Sequence, residues 1–364
     1  MPGWHEVFML HAIPSFMAQA PSTVSTALKG CNPMLQTAPK RLLTQGAGIS
    51  AGTRLWRRVL RHKWLYIMLI PTLAYYVIFK FLPLLNLRIV FLKYLPAVEN
   101  LGLPIPVMDP WYKNFSVFFA HKDFWMLLRN TLTLSVWNIV LYFPFPLILS
   151  LLLNEIRHFG YKRALQSLVY LPHFLSWAVI ASLMLLLLGP APRGLINSIL
   201  QQNNAAQIPF LYGHEWFKPI YIIELIWKEA GWGTIIYLAA LSGVDEQLYE
   251  AAVIDGAGRF RQLWNITLPC IKSTIVILLI LRMGSFLDTG FDQIYLMINS
   301  LNREVGMVFD TYIYDVGILG NKVPAGVTSI SYSATVGLFR SIVSLILVLG
   351  TNRLAKAMGE EGMY

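Results

Sequence analysis

Charged residues are scarce in this sequence. Only 13% of its 364 residues are Asp, Glu, Lys or Arg, whereas 56% are hydrophobic, and the mean hydropathy is +0.54. An average soluble domain is about 25% charged. The scarcity of charge therefore excludes an ordinary soluble domain and indicates an integral membrane protein.

Cysteine is also rare, and the motifs of several enzymes are missing. Cys31 and Cys270 lie too far apart in the chain to indicate a disulfide framework or a zinc site. The sequence has no Gly-x-x-x-x-Gly-Lys-Ser/Thr loop, whose backbone amides would cradle the phosphates of ATP. The His-Glu pairs at 5–6 and 214–215 lack the second His of a zinc protease. We therefore expect no ATP hydrolysis, no metal and no cofactor in this chain itself.

Six apolar segments are long enough to be membrane helices of about 20 residues. They are residues 64–87, 131–153, 165–189, 219–241, 273–290 and 333–350. We expect an all-α membrane domain over 64–350, preceded by an amphipathic surface helix at 54–63 and followed by a tail at 351–364. Residues 1–53 are expected to be disordered or an upstream extension of the reading frame.

Basic residues are placed unevenly around these segments. They cluster at 54–63, 157–163, 259–272 and 353–356. Since Lys and Arg next to a membrane helix stay on the inner side, these regions and both termini are predicted to be cytoplasmic. The same flanks, in contact with anionic lipid, account for much of the net charge of +10. A nucleic-acid partner is therefore not expected.

A polar island between the fourth and fifth segments has its own local signals. Asp245 can cap a helix, and Gly256 can end it in the left-handed conformation. Phe260, Leu263 and Trp264 fall at positions i, i+3 and i+4, which predicts one apolar face on a second short helix. Pro269 suits the first turn of the next helix. The island, residues 245–270, is predicted to be a compact cytoplasmic elbow.

The elbow carries a spaced motif: Glu-Ala-Ala, three residues, Gly, nine residues, Ile, one residue, Leu-Pro. This motif resembles the signature loop of bacterial ABC importer permeases, which forms a coupling helix that docks into a groove of the ATPase. The resemblance implies that Glu250 makes a polar contact with the ATPase and that small side chains allow close approach. The implied coupling residues are Glu250, Ala251, Ala252, Asp255, Gly256, Ile266, Leu268 and Pro269.

Other stretches, at 171–174, 194–197, 227–236 and 250–258, resemble the LplB-type carbohydrate permeases. The resemblance covers about residues 54–364 and implies a MetI/MalF-like bundle of six transmembrane helices in the bacterial plasma membrane. It further implies an oligosaccharide cargo, a second homologous permease, an ATP-binding-cassette ATPase dimer that holds ATP and magnesium, and an extracytoplasmic solute-binding protein.

The fourth segment contains three charges, although an ionised side chain there costs about 3 kcal/mol or more. Glu224 precedes Lys228 by four residues, which favours a helical ion pair. The alternative is that Glu229, with Trp227 and Trp232 as stacking surfaces, lines a water-filled path. The candidate path residues are Glu224, Trp227, Lys228, Glu229, Trp232 and Asp288.

Neighbouring residues have structural interpretations too. Gly231 and Gly233 favour close helix packing over a local break. His173 is expected to be a packing residue rather than a metal ligand, because no second ligand lies at metal spacing. Arg282 and Arg340 are explained by snorkelling or pairing at least as well as by cargo binding.

Three other functions stay open on the residues alone. One is an importer permease of the same architecture for peptides or another small solute. A second is a polytopic membrane enzyme such as a glycosyltransferase, which would need paired carboxylates for acid and base roles. The third is a channel-like protein that needs no ATPase.

Overall fold

The structure is a computed structural model that describes residues 61, 63–100, 102 and 104–359. The expectation for residues 1–53, almost all of the predicted surface helix 54–63 and the end of the predicted tail lie outside the described residues. The chain divides into two units, one ending at Phe79 and one beginning at Lys80.

Within the described part, the regular structure consists of helices and one isolated antiparallel bridge between Leu92 and Val107. The helices are α1 (Lys63–Phe91), α2 (Pro96–Asn100), α3 (Lys113–Ala120), α4 (Phe124–Asn154), α5 (Phe159–Phe174), α6 (Trp177–Leu188), α7 (Leu195–Gln202), α8 (His214–Leu241), α9 (Glu246–Ile254), α10 (Arg259–Cys270), α11 (Lys272–Gly284), α12 (Phe291–Met297), α13 (Arg303–Gly306), α14 (Phe309–Gly317) and α15 (Ser329–Ala357).

Three of these helices are long and apolar enough to cross a membrane: α1, α4 and α15. They confirm the first, second and sixth predicted segments, each with additional residues at its ends. Helix α8 matches the fourth predicted segment and has 28 residues, about 42 Å at 1.5 Å per residue. Every stretch of α8 that is long enough to cross a membrane contains Glu224, Lys228 and Glu229. Helix α8 is therefore less apolar than α1, α4 and α15.

The third predicted segment was wrong as a continuous helix, and the fifth was wrong in where its helix ends. At the third, α5 and α6 meet at an angle of 100°, and Ser176 caps α6 by accepting a hydrogen bond from the Val179 amide at 3.3 Å. The 61° bend between α10 and α11 at Ile271 lies just before the fifth segment, which begins inside α11 as predicted. Helix α11 then ends at Gly284, before the predicted end at 290. Hydropathy locates apolar stretches, but it contains no signal for a bend inside one.

The buried core of the second unit lies toward the end of the bundle where α8 begins. One hydrophobic cluster joins α3, α4, α14 and α15, and another joins α4, α8 and α12. Their buried residues are Phe118, Phe124, Leu127, Met307, Phe309, Tyr312, Val316, Tyr332, Val336, Leu134, Phe217, Tyr221, Ile222, Ile294 and Val308. The opposite end, where α8 leads into the elbow, has fewer fully buried side chains.

Polar side chains hold the helices together inside this apolar surrounding. The Asn138 amide donates to the Tyr221 hydroxyl at 2.9 Å, and that hydroxyl donates to the Thr289 carbonyl at 2.8 Å. Asn130 donates to the carbonyls of Glu304 and Met307. Such bonds between helices are favoured where water is absent. They connect α4 and α8 to the segments that follow α11.

Candidate functional site

The first helix of the elbow begins and ends where its local signals predict. The Asp245 carboxylate accepts a hydrogen bond from the Gln247 amide at 3.0 Å, and α9 begins at Glu246. Gly256 has φ of +76°, the left-handed conformation that only glycine adopts easily. Both the cap and the stop are confirmed.

The second helix of the elbow presents an apolar face. Phe260 and Trp264 are 74% and 58% exposed, and their rings meet edge to face with centroids 6.1 Å apart. Large aromatic side chains that pack on each other in the open indicate a contact surface for another molecule. The prediction that these residues share one face is confirmed.

Two hydrogen bonds brace the elbow internally. The Tyr249 hydroxyl on α9 lies 2.9 Å from Thr267 Oγ1 on α10. The Gln262 side-chain amide donates to the Ala257 carbonyl at 2.8 Å. Because Thr267 is buried, the first of these bonds is shielded from water. The two short helices are therefore one braced unit.

The implied coupling residues lie on the two helices of the elbow and on the turn between them. Glu250, Ala251, Asp255, Gly256 and Pro269 are exposed, whereas Ala252, Ile266 and Leu268 are half-buried. A cavity of about 170 Å³ opens between the two helices and is lined by Ala252, Asp255, Ala257, Arg261, Gln262, Asn265 and Ile266. Three of the coupling residues, Ala252, Asp255 and Ile266, thus line one cavity.

One contact of the elbow could not be predicted from the sequence. The Arg259 guanidinium donates to the carboxylate of Glu155, which follows the last residue of α4. Both side chains are exposed, so the ion pair itself adds little stability. It nevertheless links the elbow to a second helix, and no local pattern relates residues so far apart in the chain.

A second group of polar residues lies where α8 passes the bend between α5 and α6. The Lys228 amine is 3.2 Å from Glu229 Oε1 and donates to the His173 carbonyl at 2.7 Å. It also lies 5.4 Å from the centroid of the Trp177 ring. Glu229 Oε2 is 3.0 Å from His173 Nδ1. We call Lys228, Glu229, His173 and Trp232 the bend cluster.

The predicted ion pair between Glu224 and Lys228 was wrong. Glu224 instead accepts a hydrogen bond from the Gln293 side chain at 3.0 Å. The i, i+4 spacing rule considers one helix alone. Here Gln293 on α12 binds the Glu224 side chain, and the bend between α5 and α6 binds the Lys228 side chain. Lys228 reaches the bend, where a carbonyl and the Glu229 carboxylate are both available.

His173 packs as expected, but it does more than fill space. Its ring stacks on Trp232, with centroids 4.6 Å apart and an angle of 6° between the planes. Trp232 remains 40% exposed and Trp227 43% exposed. Among the described residues, no group of three His, Cys, Asp or Glu side chains could hold a metal ion.

The glycines beside Trp232 allow close helix contact, as predicted. A Cβ built on Gly231 would lie 2.8 Å from the Val169 carbonyl carbon on α5. A Cβ on Gly233 would lie 3.0 Å from the Pro146 side chain on α4. Since real Cβ atoms essentially never come within 3.0 Å of such neighbours, α5 approaches α8 only because residue 231 is glycine.

The structure therefore brings together three of the six candidate path residues, namely Lys228, Glu229 and Trp232. Trp227 is exposed on the same helix, while Glu224 belongs to the contact with α12. Asp288 is part of another network, in which Arg340 lies 3.4 Å from its carboxylate and also contacts Asp310.

The chain matches the family model described as binding-protein-dependent transport system inner membrane component over residues 46–359. It is 47% identical to Protein LplB of Bacillus subtilis (strain 168), over 91% of this chain and 100% of that protein. It is 46% identical to the polygalacturonan/rhamnogalacturonan transport system permease protein YteP of the same organism, over 85% of this chain and 93% of that protein.

Solved structures are similar as well. A chain of a bacterial ABC transporter involved in the import of the acidic polysaccharide alginate is 36% identical, with a TM-score of 0.73 over 84% of this chain and 99% of that one. The alginate transporter in complex with an alginate pentasaccharide-bound periplasmic protein gives 36% identity and a TM-score of 0.74, over 85% of this chain and 100% of that one.

Proposed function

Because this chain belongs to the family of binding-protein-dependent transport system inner membrane components, we propose that it is one of two permeases of an ATP-driven importer for an oligosaccharide. It is a transport subunit, and a separate ATPase dimer holds ATP and magnesium. A second, similar permease completes the membrane pathway. A solute-binding protein delivers the cargo from outside the cell.

The observation that carries this proposal is the braced elbow. Its Phe260, Trp264, Ala251, Gly256 and Glu250 are all exposed. Aromatic residues are enriched at protein interfaces, and small side chains permit close approach. The elbow therefore suits a groove on the ATPase, with Glu250 as the polar contact.

The basic residues support the proposed orientation. Those at 157–163 and 259–272 lie near the elbow end of the bundle, and Arg353 with Lys356 lies at the end of α15. Under the positive-inside rule this end is cytoplasmic, as are both termini. The elbow then lies on the side of the membrane where ATP is available.

An oligosaccharide cargo is supported by the names of the relatives and by the bend cluster. YteP is named for polygalacturonan and rhamnogalacturonan transport, and the similar structures belong to an alginate importer. Trp232 and Trp227 are 40% and 43% exposed, and indole rings stack well on sugar rings. Lys228, Glu229 and Trp232 therefore remain our path residues, joined by His173.

Co-purification tests the docking proposal. The complex of both permeases, the ATPase and the binding protein is expressed with wild-type chain, with Glu250→Arg, or with Glu215→Arg as the control. Glu215 is exposed near the start of α8, at the opposite end from the elbow. We expect Glu250→Arg to lose the ATPase and keep the second permease, whereas Glu215→Arg keeps both. Unchanged assembly and oligosaccharide uptake in Glu250→Arg would contradict the proposal.

A further inference from the structure

The fourth, fifth and sixth predicted segments contain three cations, and two of them are held by carboxylates. Lys228 lies 3.2 Å from Glu229, and Arg340 lies 3.4 Å from Asp288. Arg282 differs from both. Among the described residues, no carboxylate lies within ion-pair distance of its guanidinium, which instead lies 5.4 Å from the centroid of the Tyr142 ring.

The depth of Arg282 makes this arrangement costly. Arg282 lies roughly 15 Å along α11 from Lys272, about half of a hydrocarbon core of ~30 Å. An ionised side chain at such depth faces the bundle interior or a water-filled cavity rather than lipid. A cation over a tyrosine ring recovers only about 0.5–2 kcal/mol.

The backbone next to Arg282 is also irregular. Helix α11 ends at Gly284, and the chain is not helical again until α12 begins at Phe291, with Gly290 at φ +82°. Irregular backbone at membrane depth is tolerated where it is buried in protein or lines a cavity. In transporters, interrupted helices near the midplane are where substrates bind.

Tyr142 connects Arg282 to the bend cluster. The Tyr142 hydroxyl lies 3.9 Å from the position of a Cβ built on Gly233, the residue after Trp232. Arg282 and Glu229 both act electrostatically on this phenol. A cation, a phenol and the aromatic stack thus occupy neighbouring positions on α11, α4 and α8.

We propose that Arg282 binds a carboxylate of the cargo, which makes the cargo an acidic oligosaccharide. This inference rests on the proposed function and names the substrate class of that importer. A guanidinium offers two parallel N–H donors that match a carboxylate, and such charge-assisted pairs are stronger than neutral hydrogen bonds. The Tyr142 ring lies beside it, and its hydroxyl can serve the sugar hydroxyls.

The experiment uses the whole transporter in proteoliposomes, with both permeases, the ATPase and the binding protein. The probes are trigalacturonate and its neutral methyl ester, which has the same length. The variants are Arg282→Gln and Arg282→Lys, and the control is Arg163→Gln. Arg163 lies 4.7 Å from the Phe159 ring on α5, so the control also removes an arginine from an aromatic face, away from the proposed path.

We expect Arg282→Gln to lower ATP-dependent trigalacturonate uptake about 10- to 100-fold, the usual loss when a charge-assisted bond is removed. Uptake of the ester, relative to the wild-type rate, should not fall. Arg282→Lys should retain more trigalacturonate uptake than Arg282→Gln, and Arg163→Gln should match the wild type for both probes.

Other outcomes separate this inference from the proposed function. Equal losses for both probes, with co-purification intact, would make Arg282 structural and overturn the inference alone. Unchanged trigalacturonate uptake in Arg282→Gln would do the same, as would a wild-type complex that transports the ester and not the acid. A wild-type complex that transports neither probe would also overturn the inference, whereas the proposed function is tested separately by the co-purification of the Glu250→Arg variant.

Discussion

The Tyr249 hydroxyl lies 2.9 Å from Thr267 Oγ1, a contact that joins the two helices of the elbow. Its effect on coupling is testable with Tyr249→Phe, which removes only the hydroxyl. The loss of one such bond costs about 1 kcal/mol, or about fivefold in an equilibrium. We expect sugar uptake per ATP hydrolysed to fall severalfold while the ATPase stays bound, because a loosened elbow transmits less motion.

The measurement compares uptake and ATP hydrolysis in the same proteoliposomes. Tyr161→Phe is a suitable control, because Tyr161 is 60% exposed on α5. If uptake and hydrolysis keep their wild-type ratio in Tyr249→Phe, the brace has no role in coupling.

The contact between Gly231 and Val169 predicts a strong effect of a single methyl group. Gly231→Ala would force α5 away from α8, and overpacking of this kind costs about 1–3 kcal/mol. We expect a lower thermal midpoint for the purified complex in detergent. Gly350→Ala is the control, because a Cβ there has no neighbour within 4 Å. A midpoint no lower than that of Gly350→Ala would show that α5 and α8 can separate freely.

The bend cluster predicts that the charge of Glu229 is needed for stability. Glu229→Gln leaves Lys228 without its carboxylate. Since the Glu229 side chain is 24% exposed, we expect a cost of about 2 kcal/mol, less than that of breaking a fully buried pair. Thermal unfolding in detergent measures it, with the exposed Glu215→Gln as control. Equal midpoints for the two variants would contradict the prediction.

The surroundings of the Asp315 carboxyl predict that the stability of the folded protein falls at low pH. Burial alone would raise the pKa of its carboxyl, but hydrogen bonds from Arg303 and Asn321 and the charges of Arg303 and Lys322 hold that pKa below its usual value. A carboxyl whose pKa is lower in the folded protein than in the unfolded protein stabilises the fold. This stabilisation is fully present above the unfolded pKa and is lost as the pH falls through the folded pKa.

The thermal midpoint should therefore fall more steeply below about pH 4 in the wild type than in Asp315→Asn. Asp292→Asn, at an exposed position on α12, should keep the wild-type slope. Parallel pH profiles for wild type and Asp315→Asn would assign the acid sensitivity to other groups.

The elbow was predictable because its signals are local. Asp245, Gly256 and the spacing of Phe260 and Trp264 act within a few residues of the structure they determine. The same holds for Gly231, whose lack of a side chain suggested close packing. Segment positions for α1, α4 and α15 followed from hydropathy alone.

What could not be predicted depends on partners distant in the chain. Lys228 was assigned to Glu224 because helical spacing is the only relation visible in sequence, yet the bend supplies better partners. The 100° turn at Ser176 also escaped prediction, although Pro172 and the serine cap were both visible. The contact of Arg282 with Tyr142 joins two helices whose order along the chain says nothing about their distance.

The ion pair between Arg259 and Glu155 has a mechanical consequence. Arg259 begins the helix that leads through the 61° bend to Arg282, and Glu155 follows the helix that carries Tyr142. A force on the elbow would therefore act on two helices at once. One leads to the Arg282 guanidinium and the other carries Tyr142, whose ring contacts that guanidinium. Nucleotide-driven movement at one end of the bundle would then alter the grip on the sugar at its middle.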